Sequence, residues 1–258
     1  MKRCMKYSVT ALVFATLLGG VSLGCASSKK EETAVAKEAE QDYEMAVNFF
    51  NHGETAQAIR SLSLVLANDP EHAKAHHLMG FLRMGRRQYP EAIAHFKRAL
   101  ESEPQMLTCK NNLGVAYMYM EQYEEAALIF KELCKSPLYT SPWLAYANLG
   151  WAYYKLGLVD DGIQETEMAL FLNPKMCLAS NNLGLMYASL KRDSDAQKYL
   201  QEAIAGCANY AEPHLHLGLI MANRGDYGAA AAHFNRCSEL SPKSDLGQRC
   251  RSNIEAIR

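Results

Sequence analysis

The sequence predicts an all-α protein, a superhelical stack of six helix pairs closed by one further helix. Three observations carry that prediction. Glycines that follow an apolar residue within helical patterns stand at Gly80, Gly114, Gly150, Gly184 and Gly218, spaced 34, 36, 34 and 34 residues apart. With each glycine set as position 8 of a unit, position 20 holds a small residue six times (Ala58, Ala92, Ala126, Gly162, Ala196, Ala230). The same register brings a proline to position 32 four times (Pro70, Pro104, Pro174, Pro242). Self-similarity at such a period marks an array whose units bury their apolar faces only against their neighbours.

The first element lies outside the array. Lys2, Arg3 and Lys6 precede an uncharged, largely apolar run that ends at Gly24, the pattern of an export signal over residues 1–24. Cys25 follows in the context V-S-L-G-C-A-S-S, which resembles the lipobox of bacterial lipoproteins, with Ser22 and Leu23 in the reverse of the usual order. The resemblance implies that Cys25 becomes the acylated N-terminus, carrying palmitate-type chains into membrane lipid. Ordinary cleavage near Ala26 and a retained membrane anchor are the alternatives. All three place the rest of the chain outside the cytoplasm. Residues 25–38 are small and charged and read as a lipid-anchored tether.

Six units follow, at about 39–72, 73–106, 107–142, 143–176, 177–210 and 211–244, with Ala46 in the glycine slot of the first. Each reads as a helix A, a turn near position 16 and a helix B. Small residues at positions 8 and 20 let the two helices approach closely. Large residues at positions 11 and 24 are expected to fill the seam between successive units, and proline at 32 cannot continue helix B. The pattern resembles the tetratricopeptide repeat, which implies a right-handed superhelical solenoid of six tetratricopeptide repeats. Between units 3 and 4 the connector KSPLYTSPW (135–143) carries the two extra residues and two prolines, and is expected to alter the superhelix locally. Residues 245–258, polar with spaced Leu246, Cys250, Ile254 and Ile257, read as a capping helix.

Beyond Cys4 and Cys25 there are six cysteines, an even number in an exported chain, which points to disulfides. The repeat register supplies approximate coordinates. Within an A/B hairpin, residues whose positions add to about 32 stand at the same height, which pairs Cys109 with Cys134 and Cys177 with Cys207. Across the next turn the matching total is about 67, which pairs Cys237 with Cys250. The competing reading is six small thiols filling helix contacts.

Composition and motifs exclude several function classes. Without the three signal cations, 24 basic residues face 28 acidic ones, a balance unlike that of a nucleic-acid binder. His72 and His76 stand four apart on one helix, but the acidic residue of an H-E-x-x-H site is missing, and His214 and His216 point different ways. No phosphate-binding loop, nucleophile elbow or Cys-His pair appears. The expectation is therefore a protein that is not an enzyme, with no cofactor, no metal and no small-molecule substrate.

In tetratricopeptide arrays the A helices line a concave groove, and positions 2, 5, 9, 12 and 13 face it. Position 9 here is Val47, Phe81, Val115, Trp151, Leu185 and Leu219, apolar in all six units. Position 12 adds Phe50, Met84, Met118 and Tyr154, and position 2 adds Leu144 and Leu178. An apolar stripe that water can reach marks a contact surface; closure of the superhelix or the tether covering it is the alternative. Asn111, Asn181 and Lys74 fall short of the paired Lys/Arg set that grips a C-terminal carboxylate. The expected ligand is an apolar segment of a partner protein, anchored on Phe81, Trp151 and Tyr154.

Signal, lipobox and six units together resemble the pilotin lipoproteins of type IV pilus biogenesis. The stretches SPWLAYANLGWAYYKLG (141–157), NPKMCLASNNLGLMY (173–187) and SPKSDLG (241–247) carry the more specific part of the likeness. It implies an outer-membrane lipoprotein on the periplasmic side whose groove binds the type IV pilus secretin and promotes its localisation and oligomerisation. Ala26 after the cysteine fits outer-membrane retention. The alternative is an envelope scaffold that recruits peptidoglycan hydrolases or outer-membrane assembly factors.

Overall fold

The first helix starts earlier than the repeat pattern alone requires. In the structure, a computed structural model that describes residues 24–257, α1 runs from Gly24 to Asn51. The segment expected as a tether is thus the N-terminal part of that helix. No glycine or proline stands between Cys25 and Asn51, and Ala, Glu and Lys dominate, all strong helix formers. The expected signal, residues 1–24, falls outside the described residues apart from Gly24.

Twelve more helices follow: α2 (Thr55–Asn68), α3 (Ala73–Gly85), α4 (Tyr89–Ser102), α5 (Leu107–Tyr119), α6 (Tyr123–Lys135), α7 (Pro142–Lys155), α8 (Val159–Leu172), α9 (Cys177–Ser189), α10 (Asp193–Gly206), α11 (Glu212–Asn223), α12 (Tyr227–Leu240) and α13 (Asp245–Ala256). The described residues are all-helical: six A/B pairs and the closing helix α13. Successive helices pack along the chain, and the A helices of units 2 to 6 also touch one another in sequence. The A helices therefore crowd the inner side of the stack and the B helices form its outer side.

Every A helix ends alike. The N–H at position 16 donates to the carbonyl at position 11, from Glu54 onto Phe49 (2.9 Å) to Asp226 onto Met221 (3.0 Å). The N–H at position 15 donates to the carbonyl at position 12. This pairing closes the helix only if position 15 is left-handed. Gly53, Gly157 and Gly225 meet the need with φ of 77°, 82° and 79°, whereas Arg87, Glu121 and Lys191 adopt φ of 61°, 58° and 58° despite their side chains. A non-glycine residue there costs about 1 kcal/mol. Lys191→Gly is therefore expected to raise stability by about 1 kcal/mol, read as a higher urea midpoint, and Gly157→Ala to lower it by a similar amount.

The small residues at positions 8 and 20 do allow close approach, and the structure shows what fills the gap. A Cβ on Gly80, Gly114, Gly184 or Gly218 would stand 2.7, 2.7, 2.5 or 2.4 Å from Phe96, Phe130, Leu200 or Phe234. Each of these is position 24 of the same unit, lying flat on its own glycine. The same side chains also enter the seam, Phe96 beside Cys109 and Leu113, Phe130 beside Ala145 and Leu149. Unit 4 departs from the rule. There Thr166 replaces the large residue, Gly162 takes position 20, and the Thr166 hydroxyl donates to the Gly162 carbonyl at 2.7 Å. The stretched connector after α6 does not loosen the stack, because its Tyr139 is buried in the core between α6 and α7.

Two of the three expected disulfides are closed. Cys177–Cys207 ties the start of α9 to the residue after α10, with a Cα separation of 6.0 Å, and Cys237–Cys250 ties α12 to α13 at 6.1 Å. The expected pair Cys109–Cys134 is not formed; both are free thiols. They stand at the same height but on opposite sides of the hairpin. Cys109 faces the preceding unit, its thiol donating to the Phe96 carbonyl at 3.5 Å, while Cys134 packs toward Tyr139 and the following unit. Burial pushes both thiols up to about 12, so neither forms the reactive thiolate near neutrality. In a nonreducing peptide map, Cys177–Cys207 and Cys237–Cys250 are expected as bridges, with Cys109 and Cys134 alkylated only after unfolding. A bridge joining Cys109 to Cys134 would contradict this arrangement.

Candidate protein-binding groove

The expected groove residues all lie on A helices, but they differ in what they offer a partner. Phe81 is open at 41% exposure, and Leu144 and Leu178 are exposed as well, at 36% and 45%. Val47, Phe50, Met84, Val115, Met118, Trp151, Tyr154, Leu185 and Leu219 are half-buried. One flank of most of them is committed to a seam: Phe50 in the first core, Met84 in the second, Val115 and Met118 in the third, Leu219 beside the closing helix.

Two aromatic groups stand out. Phe50 and Phe81 meet edge to face, with ring centroids 5.8 Å apart and planes at 90°. Trp151 and Tyr154 lie 5.1 Å apart. Both of the latter also pack against the core around Leu183 and Met186, so they hold units 4 and 5 together besides lining the groove. Phe81 is thus the cleaner binding probe. Towards the C-terminal end the same row thins, because position 12 becomes Ala188 and Ala222.

The polar groups near the row are largely engaged. Asn148 donates to the Asn111 side-chain carbonyl at 3.4 Å, and Asn112 is 3.0 Å from His77 Nε2. Asn181 is 4% exposed, and its side-chain oxygen has no hydrogen-bond partner among the described residues. His72, weighed from the sequence with His76, caps α3 by accepting from the Ala75 N–H at 3.2 Å. His76 faces elsewhere. Its Nδ1 is 2.9 Å from Nδ1 of His95 and its Nε2 donates to the Pro70 carbonyl at 3.0 Å.

Sequence reasoning missed that this histidine pair is duplicated. His214 and His233 occupy positions 4 and 23 of unit 6, as His76 and His95 do in unit 2, with Nδ1 atoms 3.1 Å apart. Ring centroids at 5.2 and 5.4 Å place the rings head-on. Such a gap holds one shared proton, whereas a metal between two nitrogens in line would need about 4 Å. His95 is pushed down to about 4 by burial, with His76 and Arg83 adding to the effect. Burial likewise lowers His214 and His233.

An array of helix pairs with an open, largely apolar inner row presents the kind of concave surface that repeat proteins use to bind partners. Comparison with known proteins agrees: the tetratricopeptide repeat family matches residues 43–106, 77–139, 111–176 and 178–209. The chain belongs to the tetratricopeptide repeat family. Among solved structures it is similar to PilW, described as a widely conserved type IV pilus biogenesis factor, at 20% identity and TM-score 0.72, covering 82% of this chain and 97% of that one. It is also similar to PilF of Pseudomonas aeruginosa, at 20% identity and TM-score 0.68, covering 85% and 99%. A chain of the APC/C hetero-tetramer Cut9–Hcn1 matches at 17% identity and TM-score 0.71, covering 90% of this chain and 46% of that one. At these identities the likeness is one of fold. No curated protein matches the chain.

Proposed function

We propose that this protein is a pilotin: an outer-membrane lipoprotein, anchored through acylated Cys25, that captures the type IV pilus secretin in its A-helix groove and promotes the secretin's localisation and oligomerisation. The observation that carries the reading is the apolar inner row centred on Phe50, Phe81 and Met84, presented on an array that runs nearly the full length of PilW, described as a type IV pilus biogenesis factor. The lipobox at Cys25 supports the placement. Among the described residues no helix is long and apolar enough to cross a membrane.

Photocrosslinking from position 81 in intact envelopes tests the partner. The expected product joins this chain to the secretin, and Phe81→Glu is expected to abolish capture while leaving the melting temperature within a few degrees. Products containing cell-wall hydrolases or outer-membrane assembly factors, with surface pili normal in a deletion strain, would replace the pilotin reading with the scaffold one.

A further inference from the structure

Two clefts flank Phe81 at the turn end of the A helices. One, about 460 Å3, is lined by Phe50, Thr55, Phe81, Leu82, Gly85 and Arg86. The other, about 270 Å3, is lined by Phe81, Met84, Gly85, Arg87, Tyr89 and Tyr119. Phe81 and Gly85 are common to both. Tyr89 and Tyr119 stack with centroids 4.9 Å apart and form a flat wall on the far side.

Three features of these clefts are not required by the fold. Gly85 sits in the last turn of α3, yet a Cβ there would meet nothing within 4 Å, unlike the close-packed glycines at position 8. A helical glycine that packing does not need lowers stability relative to alanine, and it leaves an open saddle where another backbone can approach. Arg87 occupies the left-handed turn position that units 1, 4 and 6 give to glycine. Arg86 and Arg87 make no ion pair among the described residues, and no carboxylate lines either cleft. The site is apolar, aromatic and uniformly positive, in a chain whose overall charge is −1.

We propose that the twin clefts seat an acidic peptide segment of the partner, whose backbone crosses Gly85 while two large apolar side chains straddle Phe81 and neighbouring carboxylates meet Arg86 and Arg87. This rests on the protein-binding reading of the groove and adds the chemistry of its ligand. Charge complementarity selects the occupant. A basic segment would meet two cations with no acid to offset them, and a neutral one would leave both guanidinium groups unpaired beside a desolvated surface. Guanidinium groups also suit bidentate pairing with carboxylates.

The test uses the purified full-length chain and three fluorescein-labelled peptides, EDLFEDLFED, its lysine counterpart KKLFKKLFKK and the neutral SSLFSSLFSS, read by fluorescence anisotropy. The acidic peptide is expected to bind at least about tenfold more tightly than the other two, a difference that salt diminishes. A Cβ at position 85 meets no neighbour, so Gly85→Leu is expected to fold, melt no lower than the parent and, by occupying the saddle, lose the peptide. Ser189→Leu, at the same repeat position in unit 5, is expected to retain it. The double variant R86E/R87E is expected to prefer the lysine peptide. Equal binding of all three peptides, unchanged binding by Gly85→Leu, or no acidic-peptide binding up to about 1 mM would each overturn the proposal. Secretin captured by the parent and by R86E/R87E alike would leave the groove reading intact while removing this one. Selective acidic-peptide binding without secretin capture would do the reverse.

Discussion

Gly150→Ala is expected to destabilise the protein by about 3 kcal/mol, although it adds only one methyl group and improves local helix propensity. The added Cβ would stand 2.2 Å from the Thr166 hydroxyl, 2.7 Å from the Gly162 carbonyl and 3.0 Å from the Thr166 N–H nitrogen. Two of those three atoms are backbone of α8, so the clash cannot be relieved by a side-chain rotation. The helices must separate, which disturbs the tight packing of α7 against α8. Gly114→Ala is the informative comparison. There the nearest atoms belong to the Phe130 ring, at 2.7 and 2.8 Å, which can tilt away, and the cost is expected to be smaller, about 1–2 kcal/mol. Urea unfolding of the two variants decides it; equal midpoints would show that α7 and α8 slide apart more freely than their backbone contacts indicate. Adding Thr166→Ala to Gly150→Ala should recover only part of the loss, since the Gly162 carbonyl remains.

Acid is expected to loosen the protein well above the pH at which carboxylates titrate. His216 is pushed down to about 4 by burial, with Arg249 adding to the effect, and His95 also falls to about 4. His77, His214 and His233 are lowered in the same direction, mainly by burial. For a base whose folded value lies below its unfolded value, the unfolded chain holds more protons throughout the interval between the two. Stability then rises with pH across that interval and is lost as pH falls from about 6.5 toward 4. His216 alone contributes on the order of 3 kcal/mol over the whole window. In the head-on pairs a second proton would place two N–H groups against each other. Glu165, raised chiefly by burial, opposes the trend weakly because it prefers its proton in the fold. The urea midpoint is expected to drop between pH 7 and pH 4.5, and His216→Gln to flatten part of the slope. A midpoint that holds steady across that range would contradict the assignment.

Much of the fold was legible because packing repeats it. Position 8 must be small wherever a Phe, Leu or Thr at position 24 lies on it, so the glycines announce the register. The turn was harder to read, since Arg87, Glu121 and Lys191 occupy a left-handed slot that a pattern search expects to find as glycine. The disulfide reasoning shows where counting fails. Adding positions gives height along a hairpin but not the side of the helix, and Cys109 and Cys134 share a height while facing different neighbours. At 177/207 and 237/250 the same arithmetic succeeded because those residues also face each other.

The apolar inner row was legible as chemistry but not as access. Trp151 and Phe81 occupy the same repeat position, yet Trp151 is drawn into the core of units 4 and 5 while Phe81 stays open. The difference lies in their neighbours: Tyr154 follows Trp151 by three residues and packs with it, whereas Gly85 leaves space beside Phe81. The two clefts could not be read from any single unit, because Phe50, Phe81 and Tyr119 come from three of them.

The placement of the two disulfides gives the molecule a mechanical direction. Both lie beyond residue 176, one within unit 5 and one joining unit 6 to the closing helix, while units 1 to 4 carry no disulfide among the described residues. A load applied between the proposed N-terminal lipid anchor and a partner seated near Phe81 would run through units 1 and 2 alone, leaving α9 and the cross-linked units outside the force path. The region that can pay out, residues 39–81, would extend by roughly a hundred ångströms at about 3.3 Å per residue. Under such tension the first two units would behave as a compliant spring while the cross-linked end stays at rest.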